Sequence, residues 1–337
     1  MRVFQIEGEW GMDHLKLSTR AEPQAGPGQV VLKMKASSLN YRDLLVPLRG
    51  YGSHTGSLPL IPLSDGVGVV TEVGAGVTRV AVGDRVCPIF SQRWISGEPD
   101  LERLTQTLGG PVDGTMTEFM CLSEQGVSKV PAHLSDLEAA TLPCAALTAW
   151  SALVTVLPTR PGDRVLVQGC GGVALFAVSF AKLLGAHVTV ITSSAEREAR
   201  VRALGADATI NYRQTPEWAK ATRDITGGRG YDLIVELGGE KTLPQSLRCV
   251  RPGGVLAMIG VLSGGAMSAA LGLIVTRQVR MQGITVGNRD GFEAMLRAID
   301  QHRLQPVVDR VFAFEELKAA MAHLQGGSQF GKVCIAH

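Results

Sequence analysis

"RVLVQGCGGVALFAVSFAKLLGAHVTVIT", residues 164 to 192, decides how the rest of the chain is read. An apolar run over 164–168 meets a glycine cluster, then a helix-like run over 173–184 and a second apolar run. Gly169, Gly171 and Ala174 fall at the spacing G-x-G-x-x-G/A. In that pattern the first glycine permits a tight turn and the second lets a pyrophosphate touch the backbone. The small third residue lets helix and strand pack closely. Free N–H groups and a partial positive charge at the helix N-terminus complete an anion site. A turn that merely requires glycine is the plainer reading; the strand in front and the helix behind favour the cofactor.

The pattern beyond Thr192 supports the cofactor. Apolar runs at 164–168, 187–192, 208–212, 231–237, 254–260 and 280–286 read as buried strands. Helix-like stretches at 173–184, 195–204, 217–225, 241–249 and 290–301 lie between or after them. Such alternation predicts a parallel, doubly wound α/β sheet, and six strands match both halves of a dinucleotide-binding fold. "RPGG" at 251–254 reads as helix exit, turn and strand entry. The first 130 residues differ, with many Gly and Pro and short β-like runs such as "QVVLKMKASSL" and "DRVCPIF". They predict a β-rich domain, to which the tail "VVDRVFAFEELKAAMAHLQGGSQFGKVCIAH", read as strand, helix and strand, returns.

Composition excludes several classes. Of 337 residues 45% are apolar, enough for sizeable cores, and 33 Lys and Arg nearly balance 31 Asp and Glu without a basic block. Neither nucleic acid nor an anionic membrane surface is expected as a partner. Six scattered cysteines without a CxxC pair suit a reducing cytoplasm. "MRVFQIEGEWG", with Glu7 and Glu9, does not read as a signal peptide. The uncharged run 255–275 has the length of a membrane span, yet "SGG" at 263–265 divides it, so strand, loop and helix is the better reading.

The end of the second strand bears on cofactor choice. An NAD site usually carries an acidic residue there for the ribose 2′-hydroxyl. Here "VITSSAERE" places Thr192, Ser193 and Ser194 in that region, with Arg197 one turn into the next helix. Small hydroxyls and a guanidinium suit a 2′-phosphate, so NADP(H) is expected. Ser194 as a helix N-cap and Arg197 as a solvated side chain is the alternative.

Together these stretches resemble the medium-chain dehydrogenase/reductase superfamily, most of all its zinc-independent alcohol dehydrogenase-like and quinone oxidoreductase branch. The likeness runs through "SSLNYRDLL", "PLIPLSDGVGVVTEVGAGVTRVAVGDRV", "GGPVDGTMTEF", the glycine turn, "LGADATINY" and "FGKV", nearly the whole chain. It implies a GroES-like catalytic domain over 1–126, completed by 302–337, and a Rossmann cofactor domain over 127–301. It also implies a homodimer joined through the cofactor sheets, for which "RMQGITVG" is either the free edge or a covered strand.

The departures from the zinc-dependent members matter most. Asn40 stands where they carry Cys, and Leu63, Ser64 and Asp65 where they carry Gly-His-Glu; Cys144 matches the third ligand. The four-cysteine lobe of a structural zinc is missing from 87–120. No metal is expected. The resemblance instead brings Asn40 near the nicotinamide, with Tyr51 as a pocket tyrosine able to donate a hydrogen bond or a proton. Asp43 and Tyr41 flank Asn40; Asp43 could equally satisfy backbone donors and Tyr41 could pack in the core. On the cofactor side it implies Gly172 and Val173 at the helix start, and Arg197 and Tyr212 near the adenosine phosphate. Leu237 and Gly238 would lie near the ribose, and Val261, Leu262 and Asn288 near the nicotinamide. Lys332 would reach a phosphate or make a surface ion pair.

The function implied is hydride transfer from NADPH to a quinone, an α,β-unsaturated carbonyl or another small carbonyl compound. Zinc-free alcohol oxidation is the nearest alternative. A non-catalytic NADPH-binding protein is the alternative from another class, since fold alone does not settle function.

Overall fold

A parallel strand is buried on both faces, so its neighbour in the sheet is reached only by a crossover that covers it. The computed structural model, which describes residues 1–156, 158–266 and 268–337, shows this arrangement from Arg164 onward. The chain divides into two units, Met1–Leu147 with Gly287–His337, and Thr148–Val286.

The first unit opens with an antiparallel pair, β1 (Arg2–Ile6) and β2 (Leu15–Thr19). Then come β3 (Gln29–Ser38), β4 (Asp65–Val73), β5 (Arg85–Pro88), β6 (Phe119–Ser123) and β7 (Val127–Lys129). β3 pairs with both β4 and β6, and Val30, Leu32, Met34, Val70, Val86 and Met120 close one core around it.

The second unit carries β8 (Arg164–Gln168), β9 (His187–Thr192), β10 (Ala208–Asn211), β11 (Tyr231–Glu236), β12 (Val250–Met258) and β13 (Arg280–Gly283). Every pairing is parallel, in the order β10-β9-β8-β11-β12-β13. This is the dinucleotide-binding order, with its crevice where β8 and β11 send their connections opposite ways.

One expectation changes and one holds. "RPGG" does not precede the fifth strand; the helix Leu243–Cys249 ends directly against β12, and the motif is a bulge inside it. Tyr231 pairs with Val250 but Leu233 with Val255, and Gly253 takes φ +68° in the slack. The run 255–275 is divided among the end of β12, a loop and the helix Leu271–Thr276, with Met267 outside the described residues. Among the described residues no helix is long and apolar enough to cross a membrane.

The tail supplies β14 (Val308–Ala313), the helix Leu317–Gln325 and β15 (Lys332–Ala336). β15 lies antiparallel on β3 with Cys334 opposite Ser38, giving the sheet β14-β15-β3-β4-β5-β7. The Leu39 N–H donates to the Val333 carbonyl at 2.9 Å, which carries the pairing one step further and brings Lys332 to Asn40.

The contact boundaries put 127–147 and 287–301 in the first unit, whereas the sequence pattern assigns them to the cofactor domain. β7 pairs with β5, and the helix Arg289–His302 is tied to this unit through Glu293, which meets Arg79 at 2.5 Å and the Ser128 hydroxyl at 3.1 Å.

Candidate functional site

In the second unit the glycine turn has two different demands. Gly169 takes φ +81° and donates its N–H to the Ile191 carbonyl at 2.7 Å, so the backbone itself calls for glycine. Gly171 has φ −78°, ψ −176° and caps the helix Gly172–Leu183. A Cβ placed on Gly171 would meet no protein atom within 4 Å. Nothing in the chain requires glycine there, so the open space above the backbone is what a ligand would use. Val173 follows Gly172 in the first turn, and Ala174 is fully buried, as close packing of helix on strand requires.

At the C-terminal end of β9, Ser194 caps the helix Ala195–Ala203 by accepting the Arg197 N–H at 3.3 Å. The Arg197 guanidinium turns back to the Ser193 hydroxyl at 3.3 Å. Tyr212 joins them, since its backbone N–H donates to the Thr192 carbonyl at 2.9 Å while its side chain is exposed. Leu237 and Gly238 follow β11, and both backbone N–H groups donate to Gln168 Oε1 at 3.1 Å. Val261 and Leu262, in the loop after β12, are exposed.

Sequence reading missed what holds this crevice. Glu236, fully buried at the end of β11, accepts from Gln168 Nε2 at 2.7 Å and from the Ser246 and Thr242 hydroxyls. It also accepts the N–H groups of Gly238 and Gly239 at 3.1 Å. A lone carboxylate closing the apolar run "YDLIVE" was the available signal.

The first unit holds the other group. Lys332, 3% exposed, places Nζ 2.6 Å from the Leu39 carbonyl, 2.6 Å from Asn40 Oδ1 and 3.5 Å from Asp65 Oδ2. Asn40 Nδ2 approaches the Ser64 hydroxyl at 3.4 Å, and that hydroxyl donates to Asp65 Oδ1 at 3.3 Å. Burial raises the Asp65 carboxyl above its usual range, with Lys332 opposing. Burial, helped by Asp65, pushes the Cys144 thiol far up, so it remains a neutral S–H. Leu63, just before Ser64, is buried with a left-handed φ of +68°, a conformation that costs about 1 kcal/mol or more outside glycine and fixes where Ser64 and Asp65 point.

Other expected residues are placed differently. Lys332 is not on a phosphate; β15 buries it against Asn40. Asn288 belongs to the first unit and spends its side chain on the start of the helix Arg289–His302, accepting the Gly291 N–H at 2.8 Å. Asp43 is fully buried, and its carboxylate accepts the Asn40 N–H at 2.7 Å, the return half of a capping box. Burial lifts its pKa to about 7, against Arg42 and the Asn40 N–H, which lower it. Tyr51 is 43% exposed beside the Arg42 guanidinium, 5.8 Å from its ring centre, and partial burial raises its phenol pKa. Tyr41 is exposed rather than packed in the core.

These residues do not fit a catalytic zinc. An amide, a hydroxyl, a neutral thiol and one carboxylate are not a zinc set, and among the described residues no group of three or more His, Cys, Asp or Glu is placed to hold a metal. A divalent ion at Asn40 and Asp65 would also meet the Lys332 ammonium, already within 2.6 and 3.5 Å of their oxygens.

Known proteins place the chain in a family. Residues 26–132 match the alcohol dehydrogenase GroES-like domain family, and 172–301 the zinc-binding dehydrogenase family. A zinc-type alcohol dehydrogenase-like protein of Schizosaccharomyces pombe is 40% identical over 332 residues, 96% of each chain. A 2-haloacrylate reductase of Burkholderia is 30% identical over 92% of this chain and 91% of its own. Among solved structures, a provisionally assigned alcohol dehydrogenase from Sinorhizobium meliloti superposes with TM-score 0.94 at 43% identity, covering all of this chain and 98% of that one. An NAD-dependent alcohol dehydrogenase gives 0.91 at 33%, with full coverage of both. A crotonyl-CoA carboxylase/reductase in complex with NADP gives 0.89 at 26%, covering all of this chain and 94% of that one.

Asp43 carries a prediction about pH. Its folded-state pKa, about 7, exceeds the ordinary 3.8, so the folded form holds the proton more tightly and stability falls as pH rises between those values. Asp43→Asn keeps an acceptor for the Asn40 N–H and loses the charge. Relative to the parent it should gain about 2 to 3 kcal/mol between pH 5 and pH 8 in chemical denaturation, on the linkage scale; parallel curves would contradict this. For the glycine turn, Gly171→Ala should melt within about 2 °C of the parent yet bind NADPH at least about tenfold more weakly. Gly169→Ala should instead cost about 1 kcal/mol of stability. Calorimetry and cofactor titration on both variants separate the two roles.

Proposed function

We propose that this chain, which belongs to the medium-chain dehydrogenase/reductase superfamily, passes hydride from NADPH to a quinone, an enone or another small carbonyl acceptor without using zinc. It is an NAD(P)-dependent oxidoreductase, as its relatives are. Those relatives divide between NAD and NADP. Ser193 and Arg197, joined at the end of β9 with no carboxylate there, support NADP.

NADPH, when bound, supplies the hydride. The chain's own part is to hold the acceptor oxygen while negative charge gathers on it. The observation that carries this reading is the Asn40 carboxamide, whose Oδ1 is tied to Lys332 so that its Nδ2 is turned the other way, toward Ser64. Preorganised donors of this kind contribute about 2 to 4 kcal/mol in the transition state. Tyr51, half exposed and still protonated at neutral pH, or a held water supplies the proton.

Alcohol oxidation is the second reading, favoured by the names of several relatives. It needs a general base. Asp43 and Asp65 are fully buried and each already takes one hydrogen bond, from the Asn40 N–H and the Ser64 hydroxyl, so we assign reduction as the direction. A homodimer in the cytoplasm belongs to the same reading. β13 ends the six-stranded sheet, and the cysteines are thiols, as a reducing compartment would keep them.

Steady-state assays on chelator-treated protein test the proposal, with 1,4-benzoquinone and 2-cyclohexen-1-one against NADPH, and simple alcohols against NADP+. NADPH oxidation by a quinone or enone is expected, with tighter binding of NADPH than NADH. Asn40→Ala should lower turnover per folded molecule roughly tenfold to several-hundredfold with cofactor affinity unchanged, and should also lower the melting temperature, because it removes an N-cap and an acceptor of Lys332. Turnover within twofold of the parent would remove Asn40 from the reaction.

A further inference from the structure

We infer that Lys332 is the positioning residue that makes Asn40 a fixed hydrogen-bond donor, a buried cation set among Asn40, Ser64 and Asp65. The inference rests on the role proposed for Asn40 as holder of the acceptor oxygen.

An ammonium has three donors and no acceptor. Lys332 aims one at the Leu39 carbonyl and one at Asn40 Oδ1, both at 2.6 Å, and its ammonium lies 3.5 Å from Asp65 Oδ2 as an ion pair. With only 3% of the residue exposed, its contacts are with the protein. Its effect is on the carboxamide. Beside a group that can only donate, Asn40 must present its oxygen, and its NH2 must face away. The alternative rotamer would set two N–H donors against the ammonium.

The NH2 side is also defined. One N–H is directed at the Ser64 hydroxyl at 3.4 Å, whose own proton goes to Asp65 Oδ1 at 3.3 Å. Lys332, Asn40, Ser64 and Asp65 thus form one buried cluster, linked by hydrogen bonds from Lys332 to Asn40, Asn40 to Ser64 and Ser64 to Asp65 and by the Lys332–Asp65 ion pair. The Asn40 NH2, turned toward Ser64 and Asp65, is the donor proposed to meet the acceptor oxygen. The nearby cation polarises the carboxamide and strengthens that donor, because a low local dielectric makes hydrogen bonds in a chain reinforce one another. The cluster carries one positive and one negative side chain, which is how an ammonium can be only 3% exposed and Asp65 fully buried.

Such a site offers a donor and no base. It suits an oxygen that gains charge during the reaction, a carbonyl or quinone oxygen, and gives no help to a hydroxyl that must lose its proton.

A double-mutant cycle tests this, using whichever of 1,4-benzoquinone and 2-cyclohexen-1-one the parent reduces faster. Lys332→Met is made in the parent and in Asn40→Ala, and turnover is scored per NADPH-binding molecule. If Lys332 acts through Asn40, Lys332→Met lowers kcat at least tenfold in the parent and less than about threefold in Asn40→Ala, with the Kd for NADPH unchanged in both. Equal losses in the two backgrounds would overturn the inference, as would no loss in the parent. Removing Lys332 strands Asp65 without its cation, so if Lys332→Met does not fold, the cycle is run with Lys332→Met and Asp65→Asn together, with the same two outcomes. Unchanged turnover in Asn40→Ala alone would instead refute the role of Asn40, which separates that failure from a failure of the lysine's part.

Discussion

An ammonium group that is 3% exposed must find its counter-charge and its hydrogen-bond acceptors inside the protein. Lys332 finds them in the Leu39 carbonyl, Asn40 Oδ1 and the Asp65 carboxylate. Much of the first unit derives from that need. The tail must return so that β15 pairs with β3, because only this register sets Lys332 beside Asn40. Leu63 must hold a left-handed backbone so that Ser64 and Asp65 face the same cluster. The carboxylate would be costly to bury alone, as would the lysine. Together they are tolerated, and the cost of desolvation is offset by geometry that leaves Asn40 one orientation.

The second unit solves a different problem, which is to keep a phosphate-sized space open over a backbone. Gly171 supplies it by having no side chain where no protein atom approaches. The loops that follow β8 and β11, two paired neighbours in the sheet, are also tied together. Glu236 provides that tie, taking hydrogen bonds from Gln168, Thr242, Ser246 and the loop backbone at Gly238 and Gly239. Asp65 in the first unit and Glu236 in the second are thus fully buried carboxylates that organise other donors.

The parallel sheet is legible in the sequence because strands buried on both faces read as unbroken apolar runs, and the glycine spacing marks the turn that begins it. Local rules fail where a residue's partner is distant in sequence. Lys332 in "FGKV" reads as a surface or phosphate-binding lysine, because nothing near it reveals that β15 will lie on β3. Asn288 is also legible locally as a helix N-cap, since asparagine is favoured at that position, and it is one. "RPGG" has the composition of a turn, but its glycine is used to let β12 bulge while β11 runs straight. For Asp43 the sequence admits both a backbone-satisfying and a catalytic role; its hydrogen bond to the Asn40 N–H is the former.

The claim that most needs a direct test is that a lysine, and no metal, supplies the positive charge beside Asn40. Crystals grown with zinc present and measured on both sides of the zinc absorption edge answer it in one experiment. An ammonium-filled site predicts no anomalous peak within bonding distance of Asn40, Asp65 or Cys144. It also predicts continuous density for Lys332 ending at the Leu39 carbonyl and Asn40 Oδ1. A zinc peak bonded to Cys144 and Asp65, with the Lys332 side chain displaced from Asn40, would contradict it.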